Sequence, residues 1–242
     1  MPTISIFMAR TYHNIREEDM LVKNEWIWFL GFMWADGHVG QNRYSLELKS
    51  SDFDDIWPIL QEIGFTTHTQ RTRYGKYTQK GINAHKGIKI FQEYEYMNKS
   101  KFPPIKLWNK LTFEQKCLFL RGFFEGDGSY AKYNQRNSRF NHLNLRITLN
   151  GPKDYDWSFI LDFFKDCNIS PPCIERKTRI QNNKERNYSI LTWTKNESIK
   201  KIFDLLYNNN LNICLERKYK IASFFLENYS PIKRVRGKNR QK

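Results

Sequence analysis

The spacing of apolar side chains switches between helical and extended periods in one order that occurs twice along the chain. Apolar residues recur every three to four positions on a helix and at every second position on a half-buried strand. The first half is predicted to contain a helix at 21–36, an alternating stretch at 39–50, a helix from Phe53 to Ile63, extended segments at 66–74 and 83–90, and a helix at 91–97.

The second half repeats this order. It is predicted to contain a helix at 113–127, extended segments at 129–133 and 143–149, a helix at 154–167, extended segments at 173–180 and 188–194, and a helix at 198–208, with one more helix ending near Asn228. Each half therefore reads αββαββα, and two such repeats indicate an α+β architecture.

Repeat position and proline placement predict where one part of the chain ends and the next begins. The predicted segments are an N-terminal extension at 1–20, a first repeat at 21–98, a linker at 99–112, a second repeat at 113–228 and a basic tail at 229–242. The linker starts with KSKFPP, whose two prolines no helix interior tolerates.

Each repeat opens with a similar decapeptide. Trp28 to Gly37 reads WFLGFMWADG, and Phe119 to Gly128 reads FLRGFFEGDG. A glycine inside a helix costs about 1 kcal/mol relative to alanine, so these helices need a compensating contact. The small residues Gly31 and Ala35, like Gly122 and Gly126, stand four apart and form a smooth helix face. We expect the two helices to pack together through these faces, across a pseudo-twofold axis.

The decapeptides also place Asp36 and Asp127 at helix C-termini, where the helix dipole disfavours a carboxylate. Two carboxylates brought together by paired helices would repel each other unless a cation lay beside them. Hard divalent ions such as Mg²⁺ bind one or two carboxylates and complete their shell with water and phosphate. A single Asp-Gly after an apolar run is more simply a turn into a hairpin, but two copies in the same phase favour a functional pair.

Composition and charge narrow the function. The 40 Lys and Arg outnumber the 25 Asp and Glu, which gives a net charge of +15 and indicates a polyanionic partner such as nucleic acid. An aromatic content of 16% excludes wholesale disorder. The four cysteines lie far apart without a Cys-x-x-Cys pair, so neither structural zinc nor a disulfide framework is expected.

The sequence predicts neither a membrane span nor a secretory signal, because no apolar run is long enough and MPTISIFMAR lacks a basic start. We therefore expect an intracellular protein that is not secreted. The abundance of Lys, Asn, Ile, Phe and Tyr suggests an AT-rich genome, such as that of a mitochondrion or chloroplast, a phage or a low-GC bacterium.

At these decapeptides the sequence resembles the LAGLIDADG homing endonucleases, in the single-chain form that carries two motifs. FLGFMWADG from Phe29 and LRGFFEGDG from Leu120 both match the nine-letter pattern in its small residues, its final Asp and its closing Gly. The first acidic position of the motif is Trp34 in one copy and Glu125 in the other. The order of the predicted elements extends the resemblance from about Leu21 to Asn228.

The resemblance implies a monomer that binds double-stranded DNA through two four-stranded antiparallel saddles, joined at the paired helices. It implies a site-specific homing endonuclease that makes a double-strand break with short 3′ overhangs in a long, asymmetric target of roughly 20 base pairs. Asp36 and Asp127 would be catalytic and metal-binding, with Ala35 and Gly126 in the metal sites. The implied ion is Mg²⁺; Mn²⁺ would substitute for it, and Ca²⁺ would support binding without cleavage.

The family also places a lysine near the end of the fourth strand of each repeat, beside the metal-bound water. Lys89 and Lys195 match that position, although each is equally well a solvated lysine at a strand end. A polar residue at the end of the second strand is matched by Glu47 and Thr148 when the helices that follow are aligned.

DNA contacts are expected on the outward faces of the strands, where Arg and Lys suit guanine or phosphate and Asn and Gln suit adenine. The candidates are Gln41, Asn42, Arg43, Arg71, Arg73, Lys76, Lys86, Lys132, Asn134, Gln135, Arg136, Arg139, Asn144, Arg146, Arg176, Lys177, Arg179, Lys184 and Arg186. Taken singly, each is more often a solvated side chain.

Two other functions suit the same scaffold. One is an intron-splicing maturase, which would bind intron RNA. The other is a DNA-binding regulator that has lost catalysis. The presence of both final carboxylates argues against a decayed active centre, but it does not exclude an added role in RNA binding.

Overall fold

Two four-stranded antiparallel sheets, each with helices packed on one face, make up the described part of the chain. The structure, a computed structural model, describes residues 17–41, 44–63, 66–72, 75–82, 88–132, 144–181, 184–208 and 213–231. By its internal contacts the chain divides into two units, Met1–Gly126 and Asp127–Lys242.

The first unit holds one sheet and most of the helices. Its elements are α1 (Glu17–Val22), α2 (Asn24–Ala35), β1 (Gly37–Val39), β2 (Tyr44–Lys49), α3 (Ser50–Ile63), β3 (Thr66–Thr72), β4 (Gly75–Ile82), α4 (Ile88–Glu93), a 3₁₀ helix (Tyr96–Asn98), α5 (Ile105–Trp108) and α6 (Phe113–Asp127), whose last residue falls in the second unit. The sheet order is β1-β2-β4-β3, with every pairing antiparallel.

The second unit repeats that arrangement. Its elements are β5 (Ser129–Lys132), β6 (Leu145–Pro152), α7 (Ser158–Asp166), β7 (Cys173–Gln181), β8 (Lys184–Trp193), α8 (Asn196–Tyr207) and α9 (Glu216–Asn228). The sheet order β5-β6-β8-β7 matches that of the first sheet strand for strand. The predicted α+β architecture, with two antiparallel four-stranded sheets, is confirmed.

One predicted strand of the first repeat is wrong. The sequence places a strand at 83–90, whereas β4 runs from Gly75 to Ile82 and pairs with both β2 and β3. Ile88 to Ile90 lie in the helix α4, and residues 83–87 are outside the described residues. The sequence of β4, GKYTQKGI, contains little apolar alternation, so its strand state depends on hydrogen bonds to two neighbouring strands rather than on local pattern.

Helix α2 forms the centre of the first unit's core. Every residue from Trp26 to Ala35 is buried, which is why the helix is apolar on all sides rather than along one stripe. The sequence predicts a helix here from its apolar spacing, with one face of small residues, and the structure adds that the other faces are buried too.

The two repeated glycines bring α2 and α6 into backbone contact by reciprocal geometry. A Cβ added to Gly31 would lie 1.9 Å from the carbonyl oxygen of Phe119, and a Cβ added to Gly122 would lie 1.9 Å from that of Trp28. Phe119 precedes Gly122 by the same three positions by which Trp28 precedes Gly31. This exchange of equivalent contacts is what a local twofold axis between two helices produces.

The contact with α2 explains why α6 belongs to the first unit although its sequence opens the second repeat. One turn further along, a Cβ on Gly126 would lie 2.3 Å from the Cβ of Ala35. The boundary by contacts therefore falls after Gly126. The segment boundaries inferred from sequence describe repeats and not compact units, and they stay a prediction.

A buried polar network crosses the same helix pair. Glu125 accepts a hydrogen bond from the indole nitrogen of Trp28 at 3.0 Å and one from Nε of Arg121 at 3.3 Å. Arg121 and Glu125 are 2% and 0% exposed, so their charges are compensated within the protein. The first acidic position of the motif therefore differs between the repeats. Glu125 belongs to this polar network, whereas the ring of Trp34 packs edge-on against Tyr96.

No helix in the described residues is long and apolar enough to cross a membrane.

The helix contact predicts a difference between two glycines that look alike in sequence. Gly122→Ala should destabilise the protein by about 2–3 kcal/mol, because the new methyl group meets a fixed backbone oxygen, although helix propensity alone favours alanine by about 1 kcal/mol. Gly126→Ala should be rescued by Ala35→Gly, since only the Ala35 methyl group stands in its way. Urea unfolding of the single and double variants measures this coupling, and an equal effect of Ala35→Gly on both alanine variants would contradict it.

The buried network predicts strong coupling between Arg121 and Glu125. Glu125→Ala should cost about 3–5 kcal/mol, because the buried guanidinium of Arg121 loses its ion pair with Glu125. The double variant Arg121→Ala/Glu125→Ala should cost less than the sum of the two single changes when measured by urea unfolding. Additive costs would show that the pair does not act as a unit.

Candidate functional site

Asp36 lies where α2 turns into β1 in the first unit. It is the C-cap of α2, its backbone N–H donates to Phe32 O at 3.0 Å, and its side chain is exposed. Gly37 follows as the first residue of β1. The helix-to-strand corner therefore directs this carboxylate to the surface at the negative end of the helix dipole, where a cation is favoured.

Asp127 holds the corresponding position at the end of α6. It is half-buried, and β5 begins two residues later at Ser129. Each predicted catalytic aspartate thus stands between the last turn of a helix and the first strand of its sheet.

Sheet register decides which second-strand residue lies level with each aspartate. Gly37 pairs with Leu46, so Glu47 is the next position on β2, level with Asp36. In the other sheet Ser129 pairs with Thr148, and continuing that register two residues back along the chain puts Asp127 level with Asn150. Asn150 is exposed and takes the place in the second unit that Glu47 holds in the first.

The prediction of Thr148 as the counterpart of Glu47 is therefore wrong by two residues. It came from aligning the helices that follow, α3 and α7. Helix α3 begins at Ser50 directly after β2, whereas β6 continues to Pro152 and α7 begins only at Ser158. The unequal connections shift the alignment, and only the strand pairing reveals the shift.

The two predicted lysines have different surroundings. Lys195 is exposed at the N-cap of α8, two residues after the end of β8 at Trp193, close to the strand end that the sequence predicts. Lys89 lies inside the helix α4, because β4 ends at Ile82. Its placement at the end of a strand is therefore wrong, and the structure brings only Lys195 to the predicted kind of position.

A lysine that sequence reasoning missed contacts the end of α2. The ammonium of Lys99 donates to the carbonyl oxygen of Ala35 at 2.5 Å and to that of Met33 at 3.4 Å. Lys99 follows the 3₁₀ helix Tyr96–Asn98 and is half-buried. Its sequence context, the start of the predicted linker, gives no sign of this contact.

Tyr96 holds the 3₁₀ helix against α2. Its hydroxyl donates to Leu30 O at 2.8 Å, and its ring contacts Trp34 and Phe91 at centroid distances of 4.7 and 4.9 Å. Burial, with a smaller effect from Tyr94, raises the pKa of Tyr96 well above its usual range, so the hydroxyl remains a donor. The segment that carries Lys99 is therefore fixed to the helix that carries Asp36.

The residues at both helix ends suit a hard divalent ion. Asp36 and Asp127 offer carboxylate oxygens, while Ala35 and Gly126 have only their backbone oxygens to offer. The ammonium on Ala35 O shows that this carbonyl accepts a cation. Among the described residues, no group of three His, Cys, Asp or Glu side chains lies close enough to hold a metal.

In the first sheet, several predicted DNA contacts lie outside the described residues. These are Asn42, Arg43, Arg73 and Lys86. Gln41 is exposed, and its backbone oxygen accepts from Gln92 Nε2 at 3.0 Å. Arg71 and Lys76 are register partners in the antiparallel pairing of β3 with β4.

In the second sheet, register sorts the predicted contacts by face. Arg146 pairs with Ala131 and Arg179 pairs with Arg186, at positions that alternate with the buried Leu145, Ile147 and Leu149 along β6 and continue the same open face. Arg176 pairs with the buried Ser189 and therefore lies on the other face, where its Nε donates to Lys153 O at 3.2 Å. The assumption that Arg176 faces outward with Arg179 is wrong.

The remaining candidates of the second sheet differ in their surroundings. Lys177 is exposed and forms an ion pair with Glu175, whose hydrogen bond raises the pKa of this lysine. Lys132 is exposed with its ammonium 5.2 Å from the Phe224 ring centroid. Lys184 is exposed at the start of β8, and Asn144 is half-buried just before β6. Asn134, Gln135, Arg136 and Arg139 lie outside the described residues.

Comparison with known proteins supports one fold. No protein-family model matches the sequence, and no curated protein matches it either. Among solved structures, meganuclease I-SmaMI bound to uncleaveable DNA matches with a TM-score of 0.53 and 12% identity over 83% of this chain and 88% of that chain.

Two further structures agree with the first. The LAGLIDADG meganuclease I-AabMI bound to uncleaved DNA has a TM-score of 0.51 at 13% identity, over 83% of this chain and 89% of that chain. The LAGLIDADG homing endonuclease I-GzeII in complex with its DNA target has a TM-score of 0.51 at 16% identity, over 83% and 88%. The chain described here therefore has the fold of the LAGLIDADG meganucleases.

Proposed function

We propose that this protein is a site-specific DNA endonuclease of the LAGLIDADG homing type, which acts as a monomer and cuts both strands of a long, asymmetric duplex with divalent metal ions. The observation that carries the proposal is the reciprocal glycine contact between α2 and α6, with an aspartate directly after each packed face. The contact leaves no room for a side chain at either glycine, and we infer that it is kept because an aspartate follows each packed helix face.

The structural neighbours support DNA as the partner. I-SmaMI is described bound to cleaved DNA, and also bound to uncleaved target in the presence of calcium ions. For this chain the net charge of +15 and the arginines on the open face of the second sheet supply the matching electrostatic surface.

The aspartates and the carbonyl groups before them would hold the metal. Asp36 with Ala35 O would hold one ion and Asp127 with Gly126 O would hold another, one for each DNA strand. A bound Mg²⁺ would lower the pKa of an attacking water and stabilise the leaving oxygen. Glu47 and Asn150 lie level with the two aspartates in the strand register, and we propose that they orient water and that Lys195 contacts a phosphate.

The carboxylates predict a separation of cleavage from binding. Asp36→Asn and Asp127→Asn should each abolish the double-strand break, because an amide binds Mg²⁺ far less well than a carboxylate, while affinity for the duplex should change little. Target sites are first selected from a random duplex library with Mg²⁺. Cleavage of the selected site is then measured with Mg²⁺, and binding is measured with Ca²⁺ in its place.

Removal of Mg²⁺ with a chelator should stop cleavage by the wild-type protein in the same way. Asp162→Asn makes the same substitution at an exposed position of α7 and should leave cleavage unchanged. Retained cutting by the double aspartate variant would overturn the proposal. Binding of the wild type to a defined site without any cleavage would instead indicate a DNA-binding regulator, and preference for intron RNA over duplex DNA would indicate a maturase.

The open face of the second sheet predicts which arginines contact DNA. Arg179→Ala should weaken binding severalfold and reduce the dependence of log affinity on log salt by about one unit, as loss of one phosphate contact does. Arg176→Ala is the matched control, with the same charge change on the opposite face, and its effect should be smaller. Equal effects of the two variants on the salt dependence would contradict the assignment of faces.

A further inference from the structure

The ammonium of Lys99 contacts the carbonyl oxygen that a metal ion bound to Ala35 would use. Its ammonium lies 2.5 Å from Ala35 O, the carbonyl oxygen that directly precedes Asp36 in the chain. Alanine has no side-chain oxygen, so any cation held by Ala35 must use this same atom. The proposed metal site at Asp36 therefore already contains a positive charge supplied by the protein.

The position of this ammonium is built into the fold. Tyr96 holds the 3₁₀ helix against α2 through the hydrogen bond to Leu30 O at 2.8 Å. Glu95, with φ of 63°, adopts the left-handed conformation that turns the chain into this helix. Lys99 follows at its C-cap and also contacts Met33 O at 3.4 Å. Two carbonyls in the last turn of α2 thus share one ammonium, which the helix dipole attracts.

Geometry limits how far a metal on Ala35 O could lie from this ammonium. Mg²⁺ binds oxygen at about 2.1 Å. With Nζ 2.5 Å from the same oxygen, the two cations could be separated by no more than about 4.6 Å. Even with the full screening of water, a single and a double positive charge at that distance disfavour joint occupancy by roughly 20-fold.

We propose that Lys99 competes with the divalent ion at the Asp36 site and weakens metal binding there until the ammonium moves off Ala35 O. The inference rests on the proposed function, since it takes Asp36 and Ala35 as metal-binding. The Lys99 contact makes the proposed sites at Asp36 and Asp127 unequal, a difference that the repeated motifs do not show. Lys99 affects the reaction only by changing metal binding at Ala35 O, so it is a positioning residue and not a catalytic one.

The test measures metal binding and does not depend on DNA cleavage. Full-length protein is titrated with Mn²⁺ alone, and free Mn²⁺ is followed by electron paramagnetic resonance. Lys99→Gln removes the charge but keeps an amide N–H that can reach the carbonyl, and it should tighten one Mn²⁺ site about tenfold or more. Lys101→Gln makes the same charge change two residues away on an exposed position and should leave Mn²⁺ affinity near that of the wild type.

A second uncharged variant, Lys99→Met, guards against an effect peculiar to glutamine, and thermal unfolding shows that each variant is folded. The gain should disappear in Lys99→Gln/Asp36→Asn and persist in Lys99→Gln/Asp127→Asn. No tightening in either Lys99 variant, or tightening that survives loss of Asp36, would overturn the inference.

The same titrations separate this inference from the proposed function. If Asp36→Asn and Asp127→Asn each remove wild-type Mn²⁺ binding but Lys99→Gln does not tighten it, the metal centre stands and the competitor role fails. If neither aspartate affects Mn²⁺ binding in any background, the metal centre itself fails, and the role of Lys99 fails with it.

Discussion

The contact of Gly31 and Gly122 with each other's helix is the constraint on which the rest of the structure depends. With 1.9 Å between a hypothetical Cβ and a backbone oxygen at both places, no other residue allows α2 and α6 to approach this closely. With α6 on this face and Tyr96 and Phe91 packed on others, α2 is buried from Trp26 to Ala35, and every residue there is apolar. It also fixes the last turn of α2, from which the chain passes through Asp36 into the first sheet.

Charged side chains near the helix contact pair with each other or with the end of α2. In the core, the Glu125 carboxylate pairs with the Arg121 guanidinium and accepts a hydrogen bond from the Trp28 indole. These directional bonds link α2 to α6 in a specific arrangement. At the end of α2, the carbonyl oxygens of Met33 and Ala35 receive the ammonium of Lys99. Positive charge at a helix C-terminus is favourable, and in a metal enzyme the same preference would attract the metal ion. Under the proposed function, capping by Lys99 and metal binding would use the same carbonyl oxygen, that of Ala35.

Where the sequence pattern failed, the missing information was pairing between segments. β4 is polar, and it is a strand because β2 and β3 lie on its two sides, so Lys89 belongs to a helix and not to a strand end. Asn150 rather than Thr148 corresponds to Glu47, because strand register, and not distance along the chain to the next helix, sets which residue lies level with an aspartate. Arg176 and Arg179 are three apart in sequence and lie on opposite faces for the same reason.

By itself the sequence determined the twofold repeat, the α+β class, the close-packed helices and the two aspartates at their ends, because each of these is written in local spacing. Small residues four apart, apolar periods and an Asp-Gly at each helix end need no partner to be recognised. Only the tertiary structure decided the limits of β4, the counterpart of Glu47, the face of Arg176 and the contact of Lys99 with Ala35 O. These depend on hydrogen bonds between segments far apart in the chain, and neither period nor composition encodes which distant partner a backbone group will find.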